Sequence, residues 1–228
     1  MKQIKGILFD FNGTLFFDSS MHVEAFDMTL DAYGTPRISR GELIKSVFGR
    51  TNARIFKDWF NPDATPEECE RFSTVKKNFY FDACRKRASL RLAPGAEQML
   101  DYLKSSNVPI ALATGSDREE VDFFMEHLGI SRWFNYGENI VYTDGTFNGK
   151  PAPDCYILAA KKLGLAPEEC VVFEDGHSGI LSARAANCAG VVVVHEEGIP
   201  SPVEDSGDVL GVYHGYENFR EILASLGF

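Results

Sequence analysis

Two patterns of hydrophobic residues alternate along most of this chain: short apolar runs, and apolar residues spaced three and four positions apart. Strands buried on both faces of a parallel sheet are predicted by short apolar runs at residues 7–9, 108–113, 140–142, 170–173 and 191–194. Helices are predicted where apolar residues recur three and four positions apart, at residues 96–103, 121–128, 153–163, 177–186 and 216–226. Strands that alternate with helices are typical of an α/β fold, here a doubly wound parallel sheet covered by helices on both faces.

One stretch departs from this alternation, because residues 17–89 show helical periods but no convincing strand. The first helix is predicted at residues 18–33, with Asp18 or Ser19 as its N-cap and Gly34 as its stop. Further helices are predicted at residues 39–49, around 55–60 and at 66–83. We therefore expect an all-helical domain at residues 17–89, inserted into an α/β core formed by residues 1–16 and 90–228. Residues 196–208, rich in Gly, Pro, Ser and acids, are predicted to form a surface loop.

The amino-acid composition excludes some classes of binding partner and indicates a cellular compartment. The chain has 228 residues, enough for a core domain with an inserted one. Its 23 Lys and Arg against 33 Asp and Glu give a net charge of −10, which argues against nucleic acid and anionic membranes as partners. The five cysteines include no Cys-x-x-Cys pair and are interpreted as thiols of a reducing cytosol. The sequence predicts neither a signal peptide nor a transmembrane span, and we expect a cytoplasmic monomer.

Acidic residues follow two of the predicted strands. Asp10 comes directly after the strand at 7–9, and Glu174 and Asp175 come directly after the strand at 170–173. In an open α/β sheet the carboxyl ends of the strands border the ligand crevice, so one crevice would collect three carboxylates. Carboxylates that close repel one another unless a cation lies between them. A ligand set of oxygens without a Cys or His cluster favours Mg²⁺.

Four motifs in order resemble those of the haloacid dehalogenase-like superfamily. Residues 10–15 read Asp-Phe-Asn-Gly-Thr-Leu, close to the superfamily's first signature, Asp-x-Asp-Gly-Thr-Leu. The later signatures are matched by Ala-Thr-Gly-Ser at 113–116, Gly-Lys-Pro-Ala-Pro-Asp at 149–154 and Phe-Glu-Asp-Gly-His-Ser at 173–178. Members are mostly phosphotransferases, and many insert a four-helix cap just after the first strand. The resemblance thus implies a Mg²⁺-dependent phosphatase of a small phosphorylated metabolite, with residues 17–89 as the cap.

The same resemblance implies roles for individual residues. Asp10 would attack phosphorus and form an aspartyl-phosphate, while Lys150 contacts both that aspartate and the transferred phosphate. The Thr114 hydroxyl would donate to a phosphate oxygen, helped by the backbone N–H groups of Gly115 and Ser116 at a helix N-terminus. The implied metal ligands are the acids Asp10 and Asp175 and the main-chain oxygen of Asn12, with Glu174 either on the metal or beside it. The cap candidates for substrate contact are His22, Gly49, Arg50 and Thr51.

Asn12 departs from the family pattern, which has an acid at this position. That acid protonates the leaving oxygen and then deprotonates the attacking water, whereas an amide donates a hydrogen bond but exchanges no proton in this role. General acid–base catalysis contributes about 10²–10⁴ in rate. The chain could therefore be a slow phosphatase, one that favours good leaving groups such as acyl phosphates, one that keeps its phospho-aspartate, or a protein that binds without turnover. Alternatively, His22 or another cap group supplies the proton, or deamidation of the Asn-Gly pair restores the acid.

Three other functions are compatible with parts of the pattern. A phosphosugar mutase of the beta-phosphoglucomutase type has the same kind of cap, but it needs acid–base help in both half-reactions, which Asn12 does not provide. A non-catalytic protein that binds a phosphometabolite would need no acid at residue 12. A dehalogenase uses a similar aspartate without a metal, and the acidic pair Glu174 and Asp175 argues against it.

Overall fold

The chain folds into two compact units. In this computed structural model the described residues are 3–47, 51–199 and 208–228. One unit comprises Met1–Phe17 with Arg91–Phe228, and the other comprises Asp18–Leu90. These boundaries lie one residue beyond those expected from the sequence.

The second unit is helical. Its helices are α1 (Ser19–Ala32), α2 (Arg40–Val47), α3 (Asn52–Trp59) and α4 (Pro66–Arg85), and no strand occurs among its described residues. An aromatic cluster forms its core, in which Phe26, Phe56 and Phe72 are all nearly or fully buried. The longest helix, α4, begins at a capping box: Thr65 accepts from the Glu68 amide and the Glu68 side chain accepts from the Thr65 amide.

The first unit is built on a six-stranded parallel sheet. Its strands are β1 (Gly6–Phe9), β2 (Ile110–Asp117), β3 (Ile140–Thr143), β4 (Cys170–Glu174), β5 (Gly190–Val194) and β6 (Val209–Tyr213), in the order β3-β2-β1-β4-β5-β6. β1 lies between β2 and β4, and Phe9 is in register with Leu112 on one side and Phe173 on the other. The chain segments that leave these three strands are therefore neighbours at the carboxyl edge of the sheet.

Helices cover the sheet. They are α5 (Ala96–Ser105), α6 (Arg118–Leu128), α7 (Asp154–Lys162), α8 (His177–Ala185) and α9 (Phe219–Leu226). Small residues let α7 and α8 approach the strands closely: Ala159 and Ala183 are fully buried in one cluster with Val172. The predicted α/β fold, a parallel sheet with helices and a helical insertion, is confirmed. Among the described residues, no helix combines the length and the apolar character needed to span a membrane.

Three elements differ from the sequence expectation. β2 does not stop at Ala113 but continues to Asp117, with a shift in register that the apolar run did not show. β6 was not predicted, because this edge strand is half-exposed and contains Gly211, so its apolar residues do not form a continuous run. α9 begins at Phe219 rather than at Tyr216, whose amide donates instead to the Pro94 carbonyl.

Candidate active site

A tight turn follows β1 and begins with Asp10. The Asp10 amide donates to the Phe173 carbonyl at 3.0 Å, which ties the end of β1 to β4. Asp10 as a whole is only 8% exposed. The turn closes through the Gly13 amide, which donates to the Phe16 carbonyl at 2.8 Å. Gly13 has φ +78°, and a Cβ there would lie 2.0 Å from an Asp175 carboxylate oxygen. Only glycine therefore lets the turn pass this closely beneath the acid after β4.

Glu174 ends β4 as a buried anion with four hydrogen-bond donors. Its Oε1 accepts from the Lys150 ammonium at 2.7 Å and the Tyr156 hydroxyl at 3.0 Å. Its Oε2 accepts from the amides of Asp175 and Gly176 at 2.8 and 2.7 Å. A carboxylate offers about four lone-pair sites, so these donors occupy them all. The side chain also fills the space where a Cβ on Gly179 of α8 would stand, 1.5 Å from Oε1.

Lys150 joins the ends of β1 and β4. Its ammonium donates to Asp10 Oδ1 at 2.5 Å as well as to Glu174, and it lies 4.8 Å from the centre of the Tyr156 ring. Burial lowers the pKa of this lysine, but the charges of Asp10 and Glu174 outweigh it and hold the pKa well above its usual value. The side chain is therefore a fixed cation beside the first-strand aspartate.

An acidic cluster that could hold a metal ion lies at this edge. Asp10, Glu174 and Asp175 each offer an oxygen within 4.8 Å of the others, and Thr14 Oγ1 donates to Asp175 Oδ1 at 3.1 Å. Three carboxylates against the Lys150 ammonium leave an excess of two negative charges among these described residues, which a divalent cation would cancel. The oxygen-only donor set suits a hard cation. The residues present therefore fit a divalent metal.

Thr114 and Ser116 lie at the irregular end of β2. The Thr114 hydroxyl oxygen accepts from the Ser116 amide at 3.1 Å, and the Ser116 hydroxyl donates to Asn12 Oδ1 at 2.9 Å. The prediction placed the Gly115 and Ser116 amides at a helix N-terminus, and this is wrong because α6 begins only at Arg118. The Ser116 amide already donates to the side chain of Thr114, which is buried.

Residues 4–187 match the family model described as haloacid dehalogenase-like hydrolase. The chain belongs to the haloacid dehalogenase-like hydrolases. Over 197 residues it is 27% identical to a phosphorylated carbohydrates phosphatase of Thermotoga maritima, covering 84% of this chain and 86% of that protein. It is similar to a solved HAD hydrolase of Entamoeba histolytica, with a TM-score of 0.83, 31% identity and coverage of 99% and 100%. A beta-phosphoglucomutase of Clostridium difficile shares the fold, with a TM-score of 0.78, 24% identity and coverage of 99% and 98%.

The resemblance deduced from the four motifs is thereby confirmed. Membership makes the chain a hydrolase, and the expected enzyme class, phosphoric monoester hydrolase, agrees with relatives that are named phosphatases. In this haloacid dehalogenase-like core, the motif residues Asp10, Lys150, Glu174 and Asp175 lie together, as the ion pairs and the acidic cluster show.

His22 lies in a polar cluster of the helical unit. Its Nε2 is 3.2 Å from Asp18 Oδ2, and its Nδ1 is 2.9 Å from the Lys76 ammonium. Its ring stacks on Tyr80, whose hydroxyl donates to the same Asp18 oxygen at 2.6 Å. Asp18 occupies the predicted N-cap position of α1, but its side chain forms no capping bond. Both ring nitrogens of His22 therefore have partners within its own unit.

The other cap candidates are placed only in part. Thr51 is the N-cap of α3, and its side chain accepts from the Arg54 amide at 3.3 Å. Gly49 and Arg50 lie outside the described residues. Thr51 thus has a structural task, and the predicted substrate contacts of all three residues stay predictions.

Sequence reasoning missed two tyrosines of the core unit. Tyr156 donates to Glu174, and the fully buried Tyr216 donates from its hydroxyl to the Thr14 carbonyl at 3.3 Å. Burial, reinforced by nearby carboxylates, raises the pKa of both phenols well above the usual value, so both remain neutral donors. In the sequence, Tyr156 stands on the apolar face of a predicted helix and Tyr216 stands beside a turn. A tyrosine in either position is far more often a packing residue than part of an active site.

Proposed function

We propose that this chain is a Mg²⁺-dependent phosphatase of a small phosphorylated metabolite, with Asp10 as its nucleophile. The observation that carries the proposal is the Lys150 ammonium between Asp10 and Glu174, next to Asp175. A carboxylate is ionised at neutral pH without a helper base, and the neighbouring cation offsets its repulsion from an anionic phosphoryl group. The phosphatase relative from Thermotoga maritima supports a phosphorylated carbohydrate or a similar metabolite as the substrate.

The proposed metal ligands are the carboxylates of Asp10 and Asp175 and the main-chain oxygen of Asn12. A bound Mg²⁺ would supply positive charge that neutralises the acids and the phosphate oxygens. Glu174 already accepts four protein hydrogen bonds, which supports a role in orienting Lys150 over one as a direct metal ligand.

In the proposed reaction the protein groups divide the work. Asp10 attacks phosphorus and becomes an aspartyl-phosphate, and Lys150 stays near the transferred group as a charge partner. Thr114 donates its hydroxyl proton to a phosphate oxygen. Asn12 offers a hydrogen bond to the leaving oxygen but does not protonate it. The cap residues His22, Gly49, Arg50 and Thr51 are proposed to contribute to the choice of substrate.

A substrate-panel assay tests this proposal. The full chain is incubated with phosphomonoesters and MgCl₂, with and without EDTA, and phosphate release is measured. Asp10→Asn should lose at least about 10³-fold in kcat/KM because the nucleophile is removed. Asp122→Asn, on the exposed face of α6, is the matched control and should keep the wild-type rate. Unchanged rates in Asp10→Asn, or activity that resists EDTA, would refute the proposal.

A non-catalytic phosphate-binding protein is the second candidate, because Asn12 removes the usual acid. It is distinguished by binding of inorganic phosphate to the full chain without turnover of any phosphoester. A phosphosugar mutase is tested by interconversion of glucose 1-phosphate and glucose 6-phosphate. Its need for a proton donor and acceptor at residue 12 makes it the weaker alternative.

A further inference from the structure

We propose, on the basis of the phosphatase function proposed above, that the substrates this site turns over best are acyl phosphates. The observation behind the proposal is the hydrogen bond from the Ser116 hydroxyl to Asn12 Oδ1 at 2.9 Å. Residue 12 is the position from which a leaving oxygen would receive its proton. Here that position carries a carboxamide whose oxygen side is fixed by a buried serine of β2.

The Asn12 carboxamide can donate a hydrogen bond to the substrate but cannot transfer a proton to it. Asn12 Oδ1 accepts from Ser116, and the only donor of the Asn12 side chain is its NH₂ group. An amide N–H stabilises negative charge on a leaving oxygen without transferring a proton. The site is thus arranged for a group that departs as an anion.

Four candidate proton donors among the described residues already have hydrogen-bond partners. The Lys150 ammonium is held by two carboxylates, and the Tyr156 hydroxyl donates to one of them. The Tyr216 hydroxyl donates to a backbone carbonyl. In the helical unit both ring nitrogens of His22 are bonded, one to a carboxylate and one to an ammonium. None of these four described groups has the geometry of an uncommitted general acid.

The first step with an acyl phosphate is balanced without an acid. An Asp10 oxygen attacks phosphorus, the bond from phosphorus to the acyl oxygen breaks, and its electron pair leaves on a carboxylate. Carboxyl groups have pKa values of about 4, so this product needs no proton at neutral pH. An alkyl phosphate would instead have to release an alkoxide. The conjugate acid of an alkoxide has a pKa close to that of water, which is about 15.7, so this leaving group is about as basic as hydroxide.

The second step already requires the same chemistry. Phosphorylated Asp10 is itself an acyl phosphate, so water attacks phosphorus and the bond to the Asp10 oxygen breaks. Asp10 departs as a carboxylate, and both protons of the water remain on the product, which is dihydrogen phosphate. Any turnover through Asp10 therefore breaks a bond between phosphorus and a carboxylate oxygen. An acyl phosphate substrate breaks the same kind of bond in the first step, so that step needs no proton from residue 12.

A leaving-group comparison tests the inference. The full chain with MgCl₂ is assayed on acetyl phosphate and on glycerol 3-phosphate, in wild type and in Asn12→Asp, after subtraction of the uncatalysed hydrolysis. Wild type should prefer acetyl phosphate by about 10²-fold or more in kcat/KM, because only the alkyl ester needs the missing acid. Asn12→Asp should raise kcat/KM for glycerol 3-phosphate by about 10²–10⁴ and kcat/KM for acetyl phosphate by less than tenfold, because kcat/KM reports the first step and not the hydrolysis of phosphorylated Asp10 that both substrates share.

Several results of this comparison would contradict the inference. Equal kcat/KM values for the two substrates in wild type, or equal gains for both in Asn12→Asp, would overturn the inference. If Asn12→Asp does not fold, a wild-type comparison of 4-nitrophenyl phosphate with phenyl phosphate replaces it, and similar rates for these two esters would overturn the inference. Loss of acetyl phosphate turnover in Asp10→Asn upholds the proposed nucleophile whatever the selectivity. If neither wild type nor Asn12→Asp turns over any substrate, or if Asp10→Asn is unimpaired, the proposed function itself fails.

Discussion

Replacement of Gly179 by alanine should destabilise the protein, although the same change usually stabilises a helix. Gly179 lies in the first turn of α8, where alanine is normally favoured over glycine by about 1 kcal/mol. A methyl group at this position would stand 1.5 Å from Glu174 Oε1 and 2.0 Å from its Cδ. Atoms do not approach that closely, so the buried carboxylate has to move.

The magnitude follows from the bonds that this movement breaks. Oε1, the atom nearest the new methyl, accepts from Lys150 and from Tyr156. Hydrogen bonds to charged groups contribute about 1.5–3 kcal/mol each, so losing both costs about 3–6 kcal/mol. After the helix gain of about 1 kcal/mol, the free energy of unfolding should fall by about 2–5 kcal/mol.

Urea unfolding followed by circular dichroism measures this difference, in EDTA so that no metal contributes. The matched control is Gly41→Ala in α2, where a new Cβ meets nothing within 4 Å. That variant should be unchanged or stabilised by up to about 1 kcal/mol. Opposite signs for the two substitutions are the expected result. A Gly179→Ala protein as stable as wild type would refute the tight packing of Glu174 against α8.

Three further outcomes are expected. Tyr156→Phe should lower the free energy of unfolding by about 1.5–3 kcal/mol and weaken the proposed Mg²⁺ binding, measured by calorimetry, because Glu174 loses a buried donor. Burial raises the pKa of the Cys84 and Cys170 thiols from 9.0 to about 12, so the folded state holds their protons more tightly. The contribution of these two thiols to stability should be constant below pH 9 and should fall toward pH 12, by up to about 1.4 kcal/mol per pH unit for each thiol. Asn12 should resist deamidation in the native protein and deamidate in urea, as followed by mass spectrometry, because the native turn restrains both reacting groups.

Each of these outcomes has its own control. Tyr136→Phe removes a hydroxyl that donates to the exposed Asp122 and should change stability by less than about 0.5 kcal/mol. Replacing Cys84 and Cys170 by alanine should reduce the alkaline slope without abolishing it, because burial also raises the pKa of the Cys188 thiol to about 12. An unchanged slope would contradict the assignment to Cys84 and Cys170. Equal deamidation rates in native and unfolded protein would show that the turn does not protect Asn12.

The deamidation prediction illustrates what tertiary structure adds to a motif. From the sequence, an Asn-Gly pair is a labile site. In the structure, the Gly13 amide that would attack donates to the Phe16 carbonyl, and the Asn12 carboxamide accepts from Ser116. The partner of Asn12 is 104 residues away along the chain, so no local pattern could have revealed this restraint.

Local periodicity was sufficient for most of the fold. Five of the six strands and the helices between them were predicted, because a strand buried on both faces is a continuous apolar run and a helix repeats with its own period. β6 was missed for the same reason: an edge strand with one exposed face and a glycine has no such run. The end of β2 at Asp117 was also missed, since an irregular register depends on the neighbouring strand rather than on its own residues.

The sequence by itself determined the fold class, the family and the identity of the acids at the strand ends, because these follow from residue type and order. Tertiary structure alone decided how those residues are used. It showed that Glu174 is held by four donors, that Tyr156 is one of them, and that Ser116 fixes Asn12. Hydrogen bonds between distant segments depend on distance and direction in space, and sequence separation carries neither quantity.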